Sequence, residues 1–467
     1  MASVTGTTMT DDRFDLRNVE LREVIPWVHL FRGFRIALDL KKLALGAAGA
    51  VLMAFGWSFI ALWFIGERPT APEKPEGATG DQLSHYELEQ LEYQERLNSY
   101  NALEESRYMP WDQAERGTDV YRSVLDPSGK GWRGGIPASA FLTLEPIRRL
   151  LFPAGLTLRG PWAAIPGTLL MAWTLLVWSL FGGAITRISA VQVARDGHVG
   201  LGEALTFVIR RYLSYLGAPV FPFLGVVFIV ILCAIAGFIL SIIPGIDVLA
   251  GIIWFLPLAA GFVMTIMLFG LVLGWPLMFA AISAEATESF DSLSRSYSYV
   301  LTRPWHYLFY SVLAILYGAI VMVFVTAFSY AVLHMSQYSV AWGGGETELR
   351  QLYAYVPLAG GWRESFGPEA DSPTGTTYVS ALFVGLWAHV FFLGIVGFAY
   401  SYFWSQSTII YFLLRRDVDE TEFEEVFIEE EDDEPFPTAP PTLTDPSGKD
   451  DKGGDPSLPI VDPPQGS

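Results

Sequence analysis

The residues of this chain with the most direct chemical uses are six histidines, one cysteine and a Gly-rich basic stretch. His29, His85, His198, His306, His334 and His389 are scattered, and none belongs to a His-Glu-x-x-His pair that could hold zinc from one helix face. There is no Gly-x-Ser-x-Gly nucleophile turn and no group of aspartates at metal-ligand spacing. Gly129-Lys-Gly-Trp-Arg-Gly-Gly lacks the Gly-Lys-Ser/Thr ending of a phosphate-binding loop and reads as an ordinary loop. Cys233 stands alone inside an apolar run, so no disulfide within the chain and no Cys-based metal site can form. It reads as a small core or lipid-facing residue. His389, in Leu386-Trp-Ala-His-Val-Phe-Phe, is the one histidine well inside a long apolar run. An ionisable group there is a candidate intramembrane polar site, because leaving it in lipid is costly. The competing reading is a neutral imidazole hydrogen-bonded to a neighbouring helix, favoured by the lack of any carboxylate in the apolar runs. The sequence implies no catalytic residue, no bound cofactor and no metal.

The elements that must position these residues are membrane helices. Of 467 residues, 51% are hydrophobic and 17% charged, against about 25% charged in soluble domains. A bilayer core needs roughly 20 apolar helical residues to cross it. Leu43–Ile65, Trp162–Ile185, Leu216–Ile242, Val248–Ile282, Tyr307–Val332 and Tyr378–Leu414 each meet that need without an Asp, Glu, Lys or Arg. The expected fold class is all-α integral membrane: about six transmembrane helices, interfacial amphipathic helices and a disordered acidic C-terminal tail. The expected divisions are 1–42, 43–65, 66–161, 162–414 and 415–467. Pro257 and Pro276 are expected to split the fourth run into a short entry piece and a kinked span. The long first run, preceded by Asp11, Asp12 and Arg13, does not read as a cleavable signal peptide.

Arg and Lys flank the spans on one side: Arg32, Arg35, Lys41 and Lys42, then Arg187 to Arg211, Arg295 and Arg303, and Arg415 and Arg416. That side is expected to be cytoplasmic, giving an inner-membrane protein with both termini inside. Glu203-Ala-Leu-Thr and Asp291-Ser-Leu-Ser lie 88 residues apart and open two amphipathic stretches, 201–216 and 289–305. They read as a direct repeat or as a chance likeness. With a similar stretch at 21–40, they are expected to lie in the interface. Arg32, Arg35, Arg210, Arg211, Arg295 and Arg303 are their candidate lipid-headgroup contacts. On the opposite side, 81–107 reads as a solvated charged helix, and 141–152 as a segment that could lie flat on the surface.

Residues 417–434 hold twelve acids and no base, within a net charge of −19. This argues against nucleic-acid binding. Repulsion from anionic lipid is expected to hold the segment away from the membrane, presenting Phe423, Val426, Phe427 and Ile428 for partner docking. A solubilising tail with no partner is the alternative.

Three stretches resemble a family: Phe181-Gly-Gly-Ala-Ile-Thr-Arg-Ile-Ser-Ala-Val-Gln-Val-Ala-Arg; Ser289-Phe-Asp-Ser-Leu-Ser-Arg-Ser-Tyr-Ser-Tyr-Val with Arg303-Pro-Trp; and Leu414-Arg-Arg-Asp-Val-Asp-Glu-Thr-Glu-Phe. They are similar to uncharacterised multi-pass membrane proteins of planctomycete-type bacteria. More distantly, they resemble membrane domains accompanying glycerophosphodiester phosphodiesterases, whose metal-site motif this chain lacks. The resemblance implies an architecture over about residues 160–430 and no activity. The functional expectation is a non-enzymatic scaffold or docking component whose partners are the bilayer and a protein held by the tail. A permease-like component for a neutral or lipidic solute comes second, and an integral-membrane enzyme third. A polar midplane cavity at His389 would favour transport, and carboxylates converging with a His at one interface would favour an enzyme.

Overall fold

The computed structural model describes residues 26–73, 80–112, 114, 139–151, 164–242, 251–344, 352, 356 and 375–427. All of them belong to one compact unit that ends at Phe427. Among the described residues every regular element is a helix. Six are long and apolar enough to cross a membrane: α2 (Leu40–Phe64), α5 (Ala164–Arg195), α7 (Tyr212–Ile242), α8 (Phe255–Glu285), α10 (Pro304–Gly344) and α11 (Gly375–Asp419). The protein is an all-α, multi-pass membrane protein. Its backbone polar groups pair within each helix, which is what a chain in hydrocarbon requires.

Three of these helices are each preceded by a short one. A 3₁₀ turn (Pro26–Arg32) and α1 (Gly33–Ala37) lead into α2. α6 (Leu201–Arg210) leads into α7, and α9 (Ser289–Thr302) into α10. Local chemistry sets each joint. The Asp39 carboxylate accepts the Lys41 N–H at 3.0 Å and so starts α2. The Glu203 carboxylate accepts the Gly200 N–H at 3.2 Å at the head of α6. Arg303 leaves helical geometry, and Pro304 opens α10 at a position whose N–H needs no helical partner. α6 and α9 begin 88 residues apart, yet α9 has 14 residues against 10. The two units therefore share their starts and differ by about one helical turn before the break.

Successive spans alternate in direction. Lys42 reaches Ser189 and Ser405, Tyr215 meets Ser283, and Tyr310 meets Asp417. The basic flanks consequently gather at one end, here the basic end, and α3 (Asp81–Glu105) and α4 (Glu145–Leu151) belong to the far end. Burial is uneven along this axis. In α8 the buried residues run from Gly270 to Ala284, in the half nearest the basic end. In α11 they are almost continuous from Ile395 to Arg415. From Phe223 to Leu240 α7 is exposed or half-buried throughout, as is α8 from Phe255 to Phe269. The far half of this hairpin packs chiefly on itself.

Several expectations are corrected. The spans extend further at the basic end than their apolar runs, so Lys42 lies in the first turn of α2 and Arg187 inside α5, both buried. The division expected in the fourth run does appear: helix at Gly251 and Ile252 gives way to a turn at Ile253 and Trp254 before α8, whose first turn holds Pro257. Pro276 lies inside α8. The stretch 141–152 does not lie flat: Thr143, Pro146, Arg149 and Leu150 are buried in the described part. The solvated tail does not start at Asp417, since α11 runs to Asp419 and Val426 is buried. The expectation of a disordered tail falls otherwise on 428–467, outside the described residues, as do residues 21–25.

Small residues set the closest helix contact. A Cβ on Gly397 would lie 2.3 Å from the Leu43 carbonyl oxygen, and one on Gly46 would lie 2.6 Å from the Gly397 carbonyl oxygen. Gly394 faces open space instead, so of the glycines along these runs it does not serve packing. Gly397→Ala is expected to lower unfolding free energy by about 1–3 kcal/mol, because backbone cannot move aside locally. Gly394→Ala should stay within about 0.5 kcal/mol. Denaturant titration in mixed micelles checks both, and equal losses would refute the close approach.

Candidate functional site

The basic end is where polar chemistry concentrates. Lys42 is fully buried, at 0% exposure. Its Nζ donates to Gln192 Oε1 at 2.7 Å and lies 3.4 and 3.5 Å from Ser189 Oγ and Ser405 Oγ. The two hydroxyls bond each other at 2.9 Å. Gln192 Nε2 donates to Asp39 Oδ2 at 2.6 Å. A buried lysine Nζ is thus held by neutral oxygens, with the Asp39 carboxylate one amide away. Burying a charge without direct ionic pairing is expensive, and the chain of oxygens is what offsets that cost.

Gln192 and Asp39 also line an open groove of about 510 Å³, with Arg32, Arg35, Asp196 and His198. This places one histidine and two carboxylates at one interface, the arrangement that would favour an enzyme. Both carboxylates are engaged, however. Asp196, at φ 48° in the turn after α5, pairs with Arg32. Asp39 takes the Lys41 N–H and the Gln192 amide. Among the described residues no group of three or more His, Cys, Asp or Glu is placed to hold a metal ion.

A second cluster centres on Glu285, the last residue of α8. Its carboxylate pairs with Arg295 and with Arg415 Nε at 3.2 Å, and accepts the Tyr411 hydroxyl at 2.7 Å. Burial works against the Arg295 guanidinium, but Glu285 and then Asp291 outweigh it and raise its pKa. The strap 417–427 closes over this cluster. Arg415 donates to the Glu425 carbonyl at 2.7 Å, and the Phe427 N–H to the Ala284 carbonyl at 2.8 Å. Tyr299 donates to Asp419, and Tyr310 to Asp417 at 2.9 Å. Burial, then the Asp419 carboxylate, pushes the Tyr299 hydroxyl well above its ordinary range, so it stays a donor. Nearby, Ser283 Oγ joins Thr186 Oγ1 at 2.6 Å and Tyr215 Oη at 2.7 Å, and Arg187 donates to the Ser283 carbonyl at 2.8 Å.

At the far end, α4 and the 3₁₀ turn before it (Leu142–Leu144) insert among the spans. Arg149 pairs with Glu145 at 2.8 Å and its guanidinium sits 5.5 Å from the Trp57 ring centre. Glu145 and Arg149 line a void of about 20 Å³ with Ala50, Met322, Ile395 and Tyr400. That volume accommodates roughly one water. The Tyr400 hydroxyl, buried in this lining, has no hydrogen-bond partner among the described residues. His389 lies outside both cavities. Its ring stands 5.3 Å from Trp111, a far-end residue.

The expected headgroup contacts divide. Arg32 pairs with Asp196, and Arg295 with Glu285 and Asp291. Arg211 stacks over Phe207 and Phe427, 4.4 and 5.4 Å from the ring centres. Arg35, Arg210 and Arg303 are exposed. Two of the expected docking residues turn inward: Phe423 stacks on His29 at 4.8 Å and on Phe412 at 6.0 Å, and Val426 is 7% exposed. Phe427 is 40% exposed, and Ile428 lies outside the described residues. Presentation of all four to a partner is therefore corrected. Aromatic stacking and apolar burial outweigh the repulsion expected from their acidic neighbours.

Sequence reasoning missed Lys42, Glu285 and the Glu145–Arg149 pair. Opposite charges just beyond antiparallel apolar runs, Glu285 and Arg415, were the available signal. Comparison of the chain with protein-family models, with curated proteins and with solved structures returns no match.

Truncation after Phe427 should leave bundle stability within about 0.5 kcal/mol, because the described strap contacts end there. Truncation after Arg416 exposes the surface under Phe423 and Val426 and should cost on the order of 3 kcal/mol or more. Thermal unfolding of the two truncated proteins in one detergent compares them; indistinguishable melting would mean the strap does not hold the bundle.

Proposed function

We propose that this protein is a non-enzymatic scaffold or docking component of the cytoplasmic membrane, its basic end and both termini in the cytoplasm. One observation carries the reading. The half of the bundle nearest the basic end is a continuous core in which Ile185–Ala194, Leu277–Ala284 and Tyr400–Leu414 pack together, closed by the strap. A solid, strapped end suits holding a partner at a fixed place better than passing a solute. The void beneath Glu145 has room for about a single water, and among the described residues His389 lines neither that void nor the groove at the basic end. Because Phe423 and Val426 are used internally, a cytoplasmic partner would be met beyond Phe427, where 429–434 carries only acids.

Orientation rests on the collected Arg and Lys at the basic end. With Cys233→Ala as background, a cysteine replacing exposed Asn98 on α3 should react with an impermeant thiol reagent from outside the inner membrane. One replacing exposed Ser294 on α9 should react after permeabilisation only. The reverse pattern would invert the protein.

A permease-like role for a neutral or lipidic solute is the second reading. It is favoured by the charged α4 inserted among the spans, and by the α7–α8 hairpin whose far half is open to lipid. Proteoliposomes separate the two. On the scaffold reading, small neutral solutes equilibrate and labelled lipids cross leaflets no faster than in protein-free vesicles. Protein-dependent flux of either kind would replace the scaffold by the permease.

A further inference from the structure

The groove between the Pro26–Ala37 segment and the turn joining α5 to α6 is lined by two arginines and two aspartates, with a further cation beside it. Arg32 and Arg35 line it, Lys41 donates to the Val199 carbonyl at 2.9 Å beside it, and the buried Lys42 stands behind Gln192. Asp39 and Asp196 are the carboxylates on its lining. Arg32 is matched by Asp196, and Asp39 is shared through the Gln192 amide and the Lys41 N–H. With Lys41 beside it, three cationic side chains stand against two carboxylates, which leaves the site positive. Arg35 is exposed and has no ion-pair partner among the described residues.

The surroundings identify the kind of anion. Leu38 and Leu40, immediately after the groove-lining Arg35 and Ile36, are 46% and 78% exposed, and Phe31 is 41% exposed. An apolar surface beside a cationic groove at the end of the spans suits an amphiphile: phosphate in the groove, acyl chains along α2. Basic pockets between transmembrane helices bind anionic headgroups in this manner, and a guanidinium offers paired N–H donors to phosphate oxygens.

We propose that this groove is a binding site for the phosphate of an anionic glycerophospholipid from the leaflet at the basic end. Arg35 and His198 are its direct contacts, and Lys41 beside the groove supplies part of the attraction. The site is built from this end of the bundle and stands whether the protein is a scaffold or a permease.

The full chain in nanodiscs tests it. In phosphatidylcholine carrying a rising fraction of phosphatidylglycerol, Tm should rise and level off, since a ligand bound to the folded state stabilises it by mass action. Native mass spectrometry should find phosphatidylglycerol retained. Arg35→Gln should weaken retention about fivefold, while Arg303→Gln, an exposed arginine at the same interface, should leave it unchanged. Should Arg35→Gln lower Tm in phosphatidylcholine alone, His198→Asn makes the same comparison with less change of charge. Inorganic phosphate added in phosphatidylcholine should give no comparable shift. Equal losses from Arg35→Gln and Arg303→Gln would reduce the effect to diffuse surface attraction and overturn the site. A Tm indifferent to phosphatidylglycerol would overturn it as well, and a full shift with inorganic phosphate would overturn the lipid assignment.

Discussion

The backbones of α2 and α11 touch where Gly46 meets Gly397, and the polar architecture of the basic end depends on that contact. Only with the two helices this close does Ser405 reach the Ser189 hydroxyl and Lys42 Nζ. The same approach lets Ser401 donate to the Ala37 carbonyl at 2.8 Å and Gln406 to the Leu30 carbonyl at 2.9 Å. These bonds fix the segment before α2 against the last span. In a medium with little water, a donor or acceptor displaced by an ångström or two is left unpaired at considerable cost. Position and polarity are therefore coupled: the glycines set the spacing, and the spacing makes a buried lysine tolerable.

The two ends of the bundle solve different problems. At the basic end the chain repeatedly enters and leaves the membrane, and short helices, capped starts and the strap tie those crossings into one core. Glu285 is central there because it answers two arginines, from α9 and α11, that would otherwise meet as like charges. At the far end the spans are less buried. Inserted chain from the 66–161 segment fills the space beside α2, α10 and α11, bringing the Glu145–Arg149 pair with it. Among the described residues the α7–α8 hairpin has no such filling, and its far half is apolar and exposed.

This division bears on function through which charges are already answered. Arg32, Arg295 and Arg415 have carboxylate partners within the chain, and Arg211 has two aromatic faces. A cation so engaged positions helices and has little capacity left for a ligand. Arg35 differs, because it is exposed and has no ion-pair partner among the described residues. The strap follows the same logic in reverse: its acids Asp417 and Asp419 receive tyrosine hydroxyls, and its apolar residues close the core.

The sequence by itself determined the membrane class, the six spans and the gathering of Arg and Lys at alternate span ends. Each is a one-dimensional property: a run of about 20 apolar residues must be helical in lipid, and flanking charge is counted along the chain. The places of the short helices α6 and α9 were legible for the same reason, from acid-led openings ahead of amphipathic runs. What tertiary structure alone decided is pairing across distance. Whether Lys42 faces lipid headgroups or a Gln–Ser pocket depends on residues more than a hundred positions away. That Phe423 and Val426 turn inward follows from the surface offered by His29 and Phe412, which no local pattern encodes. An acidic, Phe-bearing segment has the same composition free or docked, and only the complementary surface chooses between them.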